Sequence, residues 1–306
     1  MTNSQRISIS VIIPSCNRPS ELNVLINSLN NSFQYTKKDI ETEIIVSDDS
    51  NNNLCKQLVN HNFPSVTWIK GPRNGPGANR NNGANTASNE WLLFIDDDCY
   101  VNEEFIEAYS EMMEKKSNNV LEGKIICPNK KNSIFVRQPE NHLGGVLASG
   151  NFAIRRSLFQ NLNGFDEDLK IMEDIEFAAR LKSKGHSFIF CKSAIAFHPA
   201  QPKDLNFYVS WIFHFKWQLL LDYKCKTRNP YNSFCKSSLL TCYKHLGFLV
   251  RITYHLFTKF DKDRWIMYTF ERLLAWVTLP MVIPYLIFWD HHFRIKIKTS
   301  EIRLLY

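Results

Sequence analysis

The chain has 306 residues, enough to bury a sizeable core in one large domain or two medium ones. Its eight cysteines show neither paired CxxC spacing nor clustering, which argues against a zinc site and a disulfide framework and predicts reduced thiols in a cytosolic compartment. The polar N-terminus has no long apolar stretch behind it, so we expect neither a cleaved signal peptide nor an N-terminal anchor.

The net charge of +7 is unevenly divided along the chain. Residues 1–202 carry 21 Lys and Arg against 23 Asp and Glu, a net charge of −2, whereas residues 203–306 carry 16 against 7, a net charge of +9. The second part is also rich in aromatic and apolar residues, and this combination favours contact with an anionic membrane surface. No nucleic-acid-binding motif accompanies it, so nucleic acid is not an expected partner. We therefore predict two domains, 1–202 and 203–306.

Strand-like and helix-like stretches alternate along the first domain, which is typical of an α/β fold. In chain order the predicted elements are a strand over 8–14 followed by a helix, strands over 41–49 and 66–71, a glycine-rich loop with a small polar helix, a strand over 91–95, a helix over 103–116, a short strand and helix within 145–169, a helix within 170–185, and a closing strand within 186–199.

Polar side chains follow the predicted strands. Asn17 comes after the first strand, Asp48 and Asp49 end the second, and the three acids of 96–98 follow the apolar run WLLFI. In open α/β sheets, ligands bind beyond the carboxyl ends of the strands, so we expect these side chains to converge on one crevice.

The three consecutive acids Asp96, Asp97 and Asp98 are the strongest local signal, because packed carboxylates repel one another unless donors, water or a cation compensate them. In extended backbone Asp96 and Asp98 point to the same side, where they can share one Mg²⁺ or Mn²⁺, while Asp97 points away. The alternative is an acidic turn that caps the helix beginning near Glu103.

Asp48 and Asp49 can accept hydrogen bonds from a ribose hydroxyl or a base, or can instead form an Asx-turn before Ser50. Arg80, in GANRNNGA, can pair bidentately with a phosphate, although an arginine on a polar helix is more often simply solvated.

Glu173 and Asp174 lie near the start of a predicted helix, where the helix dipole favours acids even without a function. The functional alternative is a general base that takes a proton from an acceptor hydroxyl. His198, at a strand end before a proline, is either a surface histidine or a neutral imidazole ligand for the same cation.

The order of these weak signals is more specific than any one of them. The first domain contains, in sequence, VIIPSCNRP, IIVSDDS, GANRNNGA, WLLFIDDD, ASGNFAIRR, NGFDEDL, MEDIEFAARL and AIAFH. Over about residues 7 to 200 this series resembles the family 2 glycosyltransferases, which have the GT-A fold. The resemblance implies nucleobase binding for Asp49, a DxD metal and ribose motif for Asp96 with Asp98, a position near base and diphosphate for Arg80, the catalytic base for Asp174, and a late metal ligand for His198.

On this resemblance the protein is expected to be an inverting, metal-dependent transferase that moves one sugar from a nucleotide-diphosphate sugar, first of all a UDP-sugar, to a hydroxyl of a glycan or lipid-linked acceptor in polysaccharide biosynthesis of the cell envelope. Mn²⁺ or Mg²⁺ is the implied cofactor, with Asp98, Asp96 and His198 as ligands. The expected substrate and nucleotide contacts are Pro14, Asn17, Arg18, Asp48, Asp49, Arg80, Asp96, Asp97, Gly150, Asn151 and Glu173.

Two departures and two alternatives accompany this interpretation. SDDS lacks the glycine common after the paired acids, which leaves the base contact open between Asp48 and Asp49, and the absence of a Gln-x-x-Arg-Trp run disfavours a processive synthase. A haloacid-dehalogenase-like phosphatase would use Asp96 as nucleophile and Asp98 as acid and base. A catalytically silent membrane-bound scaffold is the other alternative.

The second domain is expected to be helical and membrane-associating. Residues 273–289 form 17 residues without a charge, the lower limit for crossing a bilayer with about 30 Å of hydrocarbon, but Pro280 and Pro284 interrupt them and both flanks are basic. A peripheral or monotopic attachment to the inner face of the cell membrane keeps both basic flanks on one side. The alternative is that these stretches pack on the catalytic domain as core.

Overall fold

The structure, a computed structural model, describes residues 6–115, 119–130 and 136–202, together with residues 216–217, 220–221 and 224–225. The chain divides into two compact units, Met1–Asp204 and Leu205–Tyr306. All helices and strands named below belong to the first unit.

Ten strands and six helices make up the described part of this unit. The strands are β1 (Ile7–Ser15), β2 (Ile40–Asp48), β3 (Thr67–Lys70), β4 (Trp91–Ile95), β5 (Tyr100–Val101), β6 (Val120–Ile126), β7 (Val136–Arg137), β8 (Asn151–Arg155), β9 (Ile189–Phe197) and β10 (Gln201–Pro202). The helices are α1 (Pro19–Tyr35), α2 (Leu54–Asn62), α3 (Pro76–Thr86), α4 (Phe105–Met113), α5 (Arg156–Asn161) and α6 (Glu173–Ser183).

Eight strands form one mixed sheet in the order β3-β2-β1-β4-β8-β6-β9-β5. The pairs β2–β3, β1–β2 and β1–β4 are parallel, so the carboxyl ends of these four strands share one edge. Strand β8 is antiparallel to both of its neighbours, β4 and β6. A separate two-stranded sheet joins β7 to β10. The predicted crevice beyond the strand ends therefore has a structural counterpart at the β1, β2 and β4 edge.

The sheet has an apolar layer on each face because its central strands alternate their side chains. In β1, Val11 and Ile13 contact one hydrophobic cluster, and Ile12 contacts the other. Helix α1 covers the first face with residues spaced at helical intervals and fully buried: Leu22, Leu25, Ile26 and Leu29. The second face is filled mainly by phenylalanines whose ring centroids lie 4.9 to 6.4 Å apart: Phe94, Phe152, Phe159, Phe165 and Phe177.

The α/β prediction is confirmed, with differences in detail. The helix expected over 103–116 is shorter, because α4 occupies Phe105–Met113. Strand β6 was not predicted, since its sequence VLEGKII has Glu122, Gly123 and Lys124 in the middle and matches neither an alternating nor a continuous apolar pattern.

The predicted helical, membrane-associating region 203–306 lies outside the described residues, apart from six of them between 216 and 225. In the part of the chain that the structure describes, every helix is too short or too polar to cross a lipid bilayer.

Candidate active site

A cavity of about 610 Å³ opens at the carboxyl ends of β1, β2 and β4. Its volume lies in the range of small-molecule and cofactor sites. Ten of the fourteen predicted site residues line it: Pro14, Arg18, Asp49, Arg80, Asp96, Asp97, Asp98, Glu173, Asp174 and His198. The other four are outside its lining: Asn17, Asp48, Gly150 and Asn151.

The three acids after β4 lie on a turn. Strand β4 ends at Ile95, and the amide of Cys99 donates a hydrogen bond of 3.1 Å to the carbonyl of Asp96, which closes the turn. The prediction of an extended backbone with Asp96 and Asp98 on one side is therefore wrong. The helix-capping alternative is wrong as well, because α4 begins later and no side chain caps it. Each carboxylate faces a different partner.

Asp96 is joined to Glu173 through Arg80. One terminal nitrogen of Arg80 lies 2.6 Å from Asp96 Oδ1 and the other 2.7 Å from Glu173 Oε1, with only 4% of the arginine exposed. Burial alone would lower the pKa of Arg80, but the two carboxylates outweigh it and raise the pKa. Arg80 lines the cavity, and each of its terminal nitrogens already binds a protein carboxylate, so its charge is shared with Asp96 and Glu173 rather than reserved for the phosphate contact that the sequence suggested.

The two partners of Arg80 respond differently to it. Burial would raise the pKa of Asp96, but the guanidinium outweighs burial and the net shift is downward. For Glu173 burial is the larger effect, so its pKa is raised despite Arg80. The bridge thus fixes a negative charge at the end of β4 and ties it to the first turn of α6.

Asp97 fastens the end of β4 to the end of β1. Its Oδ2 accepts hydrogen bonds from the Ser15 hydroxyl (2.9 Å) and the Cys16 amide (3.3 Å), and its Oδ1 accepts one from Arg18 Nη1 (3.1 Å). Burial, only partly offset by Arg18, raises the pKa of Asp97 to about 6. This carboxylate contacts the end of β1 through Ser15 and Cys16, and it shares Arg18 with Asp98.

Asp98 faces His198, and the geometry of this pair fits a bound cation. The Nδ1 of His198 lies 3.0 Å from the Pro199 carbonyl, which can only accept, so Nδ1 carries the proton. In the neutral ring Nε2 is then an acceptor, and it lies 3.3 Å from Asp98 Oδ1, a buried oxygen without a hydrogen-bond donor. Two acceptors in contact require a positive centre between them, either a proton or a metal ion.

The ligand atoms of Asp98, Cys99 and His198 all lie within 4.8 Å of one another. Carboxylate oxygen and imidazole nitrogen suit Mn²⁺, whereas burial raises the pKa of the Cys99 thiol well above its usual value and makes it a poor ligand. Asp96 is not in this group, because its Oδ1 is bound to Arg80. The residues that fit a cation are therefore Asp98 and His198, and the predicted sharing of the ion by Asp96 is not what the side-chain contacts favour.

At the end of β2 the two acids have different surroundings. Asp48 is buried, and both of its carboxylate oxygens accept hydrogen bonds within the protein. Oδ1 accepts from the amide (3.0 Å) and the hydroxyl of Ser50, and Oδ2 accepts from the Trp68 indole N–H (3.1 Å). This is the Asx-turn alternative. Asp49 lines the cavity, where its Oδ1 accepts from the Arg73 amide (2.7 Å) and burial raises its pKa. Of the two, Asp49 is the one available to a ligand.

Asn17, also predicted to contact the nucleotide, supports the loop after β1. Its backbone has a positive φ of 56°, its amide donates to Ser50 Oγ (2.7 Å), and its Oδ1 accepts from the Asn51 amide (3.1 Å). Asn17 and Asp48 therefore hold the same Ser50 from two sides, behind the cavity wall.

Asp174 occupies the first turn of α6 and lines the cavity. Its Oδ1 accepts a hydrogen bond of 2.8 Å from the Ile175 amide, and its Oδ2 lies 3.5 Å from the Ser149 amide. No arginine or lysine side chain of the described residues pairs with it, in contrast to Asp96, Asp98 and Glu173. Asp174 is therefore a carboxylate in the cavity that can accept a proton from a bound hydroxyl.

Gly150 and Asn151 support the site from behind. A Cβ added to Gly150 would lie 2.8 Å from Asp96 Oδ2, so glycine permits the close approach. Asn151 is fully buried: its Oδ1 accepts from the Tyr109 hydroxyl (2.7 Å), and its Nδ2 donates to the carbonyls of Lys124 (2.9 Å) and Ala194 (3.1 Å). Asn151 lies outside the cavity lining and its side-chain amide is bonded within the protein, so its predicted contact with substrate stays a prediction that these contacts do not favour.

The lining residues that the sequence did not predict include two long polar side chains. Arg137 of β7 and Gln201 of β10 are paired directly across the small sheet and both line the cavity. Gln201 donates to Asp98 Oδ2, which also accepts from Arg18 (2.6 Å). A strand of two residues carries no periodic signal, so neither position could be recognised in the sequence.

Comparison with known proteins identifies the group to which this chain is related. The model of glycosyl transferase family 2 matches residues 10–174. The chain belongs to this family. The family 2 assignment agrees with the resemblance read from the motifs and confirms the prediction of a transferase, and it gives no support to the phosphatase or scaffold alternatives.

The relatives of this family 2 chain include bacterial enzymes of glycan assembly. An uncharacterized glycosyltransferase of Haemophilus influenzae is 30% identical over 190 residues, 56% of this chain and 61% of that protein. A GalNAc(5)-diNAcBac-PP-undecaprenol beta-1,3-glucosyltransferase of Campylobacter jejuni is 37% identical over 112 residues, 35% of this chain and 34% of that protein. The matched parts are thus less than two thirds of these relatives.

A solved structure supports the fold. Staphylococcus aureus TarS 1–349 in complex with UDP-GlcNAc matches with a TM-score of 0.55 at 17% identity, covering 95% of this chain and 92% of that one. At this identity the likeness establishes the fold alone, which is the GT-A-like arrangement expected from the sequence.

The Arg80 bridge generates a stability prediction. Replacing Arg80 by Met leaves the buried Glu173 and the partly exposed Asp96 without a cation, which should lower the free energy of unfolding at pH 7 by about 3–5 kcal/mol. Without Arg80, burial raises the pKa of both acids above their unfolded values. Stability is then highest below pH 4 to 5 and falls as the pH rises through the raised pKa values.

Urea unfolding of Arg80→Met at pH 5 and pH 8 measures this effect, and the loss should be larger at pH 8. The matched control is Arg6→Met, which breaks a pair of equal length (2.7 Å) with Asp39 on the exposed surface and should cost about 1 kcal/mol or less. Equal losses of unfolding free energy in the two variants would show that the buried Arg80 bridge stabilises the protein no more than an exposed ion pair does.

Proposed function

We propose that this protein transfers a single sugar from a nucleotide-diphosphate sugar to a hydroxyl group of a glycan or lipid-linked acceptor, with inversion at the anomeric carbon. The observation that carries the proposal is the division of the cavity: Asp98 and His198 offer a site for a divalent cation, and Asp174 offers an unpaired carboxylate in the same cavity. The cation site suits a diphosphate, and the Asp174 carboxylate suits a nucleophilic hydroxyl.

The donor is proposed to lie across the strand ends, with its base and ribose near Asp49 and the β1 end and its diphosphate toward Arg18 and Arg137. These two arginines line the cavity, and an arginine is suited to bidentate contact with phosphate oxygens. A UDP-sugar is the first candidate, because the TarS fold relative has been solved with UDP and with UDP-GlcNAc.

Asp98 and His198 would hold Mn²⁺ or Mg²⁺. When bound, such an ion stabilises the negative charge that develops on the leaving diphosphate. The chain itself prepares this position: Arg18 and Gln201 hold Asp98 Oδ2, so Oδ1 is directed at His198, whose tautomer is fixed by the Pro199 carbonyl.

Asp174 is proposed to act as the general base. Its carboxylate takes the proton of the acceptor hydroxyl while that oxygen forms a bond to the anomeric carbon and the bond from this carbon to the diphosphate oxygen breaks on the opposite face. Asp174 lies in the first turn of α6, where the helix dipole favours a negatively charged side chain. Alignment of the two substrates supplies a further part of the rate.

The phosphatase alternative is disfavoured by the contacts of its would-be nucleophile. Asp96 Oδ1 is 2.6 Å from Arg80, and Asp96 Oδ2 is close to Gly150, so neither oxygen is presented freely to a phosphorus atom. A catalytically silent scaffold would not need a cavity that contains both a pair of candidate cation ligands and a carboxylate without an ion-pair partner.

Asp174→Asn should bind nucleotide as the wild type does but lose about 10²- to 10⁴-fold in turnover, because only the transition state needs the base. The measurement is release of UDP from UDP-GlcNAc with Mn²⁺ and water as acceptor, alongside calorimetric UDP binding. Asp168→Asn, an exposed acid outside the cavity lining, is the control and should keep its rate. Turnover near the wild-type rate in Asp174→Asn would move the base elsewhere.

His198→Gln should weaken the coupling between metal and nucleotide. In the wild type, Mn²⁺ is expected to increase UDP affinity, and loss of an imidazole ligand should reduce that gain by at least about tenfold. Titration of UDP with and without Mn²⁺ measures it. His142→Gln is the control, since His142 is half exposed and lies outside the lining. An unchanged gain in His198→Gln would remove this residue from the metal site.

We also propose that the basic second part of the chain attaches the enzyme to the inner face of the cell membrane without spanning it. The support is its sequence: a net charge of +9 over 203–306, and the uncharged stretch 273–289 interrupted by two prolines and flanked by basic residues. Such attachment would bring the cavity to a lipid-linked acceptor.

Fractionation tests the attachment. The protein should sediment with membranes and be released by high salt or carbonate, and replacing Arg294, Lys296 and Lys298 by Glu should shift it to the soluble fraction. The control is Lys37→Glu with Lys38→Glu in the first unit. Fully soluble wild-type protein, or a C-terminal tag protected on the far side of the membrane, would contradict the proposal.

A further inference from the structure

The loop 141–150 (NHLGGVLASG), here called the acceptor-side loop, enters the cavity wall through Ser149. Its second half touches α6 at two points. The carbonyl of Gly145 accepts a hydrogen bond of 2.7 Å from Lys182 Nζ, and the Ser149 amide lies 3.5 Å from Asp174 Oδ2. Asp174 and Lys182 are more than two helical turns apart, so the loop runs along α6 toward the proposed base.

A single buried carboxylate organises this loop. Glu122 of β6 is fully buried and accepts hydrogen bonds from three successive loop amides: Gly145 (2.5 Å), Val146 (3.1 Å) and Leu147 (2.6 Å). The side-chain amide of Asn141 adds a fourth at 2.8 Å. Successive amides that converge on one anion form a nest, in which the anion determines the backbone path.

The backbone conformational preferences of the loop residues alone do not favour this path. Leu147 has a positive φ of 53°, a conformation that residues with side chains rarely adopt, and it is buried. Among the described residues Glu122 has no ion-pair partner, so the hydrogen bonds of the loop are what compensates its buried charge. The carboxylate and the loop therefore depend on each other.

We infer that Glu122 is a positioning residue for Asp174: by holding residues 145–147 it places the Ser149 amide against the proposed base and Gly150 against Asp96. The inference rests on the proposed role of Asp174. It assigns a function to a glutamate that lies outside the cavity lining and inside a strand without a recognisable motif.

Glu122→Gln tests this with almost no change of volume. A glutamine can keep one oxygen toward the loop, but its NH₂ group must face at least one backbone N–H, so part of the nest is lost. The matched control is Glu43→Gln. Glu43 of β2 is partly buried and also accepts several hydrogen bonds, from Ser10 Oγ (2.6 Å) and from the amide (2.7 Å) and hydroxyl (2.9 Å) of Ser88, but it makes no contact with the acceptor-side loop among the described residues.

Two measurements on the full chain give the outcome. In hydrogen exchange, Glu122→Gln should lose protection in 144–151 and in the first turn of α6, whereas Glu43→Gln should lose it only near its own contacts. In kinetics, Glu122→Gln should lower UDP release from UDP-GlcNAc with Mn²⁺ by about tenfold or more while UDP affinity stays within about threefold. If Glu122 has only a structural role, both variants should lose overall stability, and Glu122→Gln should show no loss of turnover separate from a loss of UDP affinity.

Unchanged exchange at the start of α6, or unchanged turnover in a folded Glu122→Gln protein, would overturn the inference. If the wild type releases no UDP from any nucleotide sugar, the proposed function fails, and hydrogen exchange alone decides whether Glu122 positions the start of α6. Should Glu122→Gln not fold, Asn141→Ser removes one hydrogen-bond donor and keeps the Glu122 carboxylate. Lost protection at 144–151 and at the start of α6 in this variant would support the inference, and unchanged protection at the start of α6 would overturn it.

Discussion

The ion bridge from Asp96 through Arg80 to Glu173 is the interaction on which the rest of the site depends. It links the end of β4 and the buried face of α3 to the first turn of α6, which lies 93 residues further along the chain from Arg80. Without the guanidinium, the buried Glu173 and the partly exposed Asp96 would lose their cation beside a third acid, Asp174. The bridge makes it possible to place the start of α6, which carries Asp174, close to the strand ends.

The crevice contains many acids, and their partners divide them into two classes. Asp48, Asp96, Asp97 and Glu173 are occupied by donors or cations of the protein itself and hold elements together. Asp49, Asp98 and Asp174 each present an oxygen to the cavity or to a cation position. A motif such as DDD therefore mixes structural and functional acids, and only the partners distinguish them. This is the physical reason that a cation can be proposed for Asp98 and not for Asp96.

The sequence predicted much of this fold because the signals are local. Apolar strands that end in polar residues at 15, 48 and 96 place the crevice without knowledge of any contact. The sequence did not predict side-chain contacts between residues that are distant in the chain. Arg80 binds Glu173, 93 residues away, and Asn151 binds Tyr109, 42 residues away. Nothing near Arg80 or Asn151 in the sequence indicates that its side chain is already bound.

The position of β8 explains how one edge of the sheet can serve two substrates. A fully parallel sheet would bring only the loops after its strands to the carboxyl edge. Because β8 is antiparallel to β4 and Asn151 lies opposite Ile95, the segment before β8 arrives at the same edge as the acids after β4. The acceptor-side loop thus reaches the cavity wall, where the buried Glu122 holds its middle to β6 and the buried Asn151, next to its end, is bonded to β6 and β9. The change of strand direction is what brings the Ser149 amide to 3.5 Å from Asp174, the proposed general base.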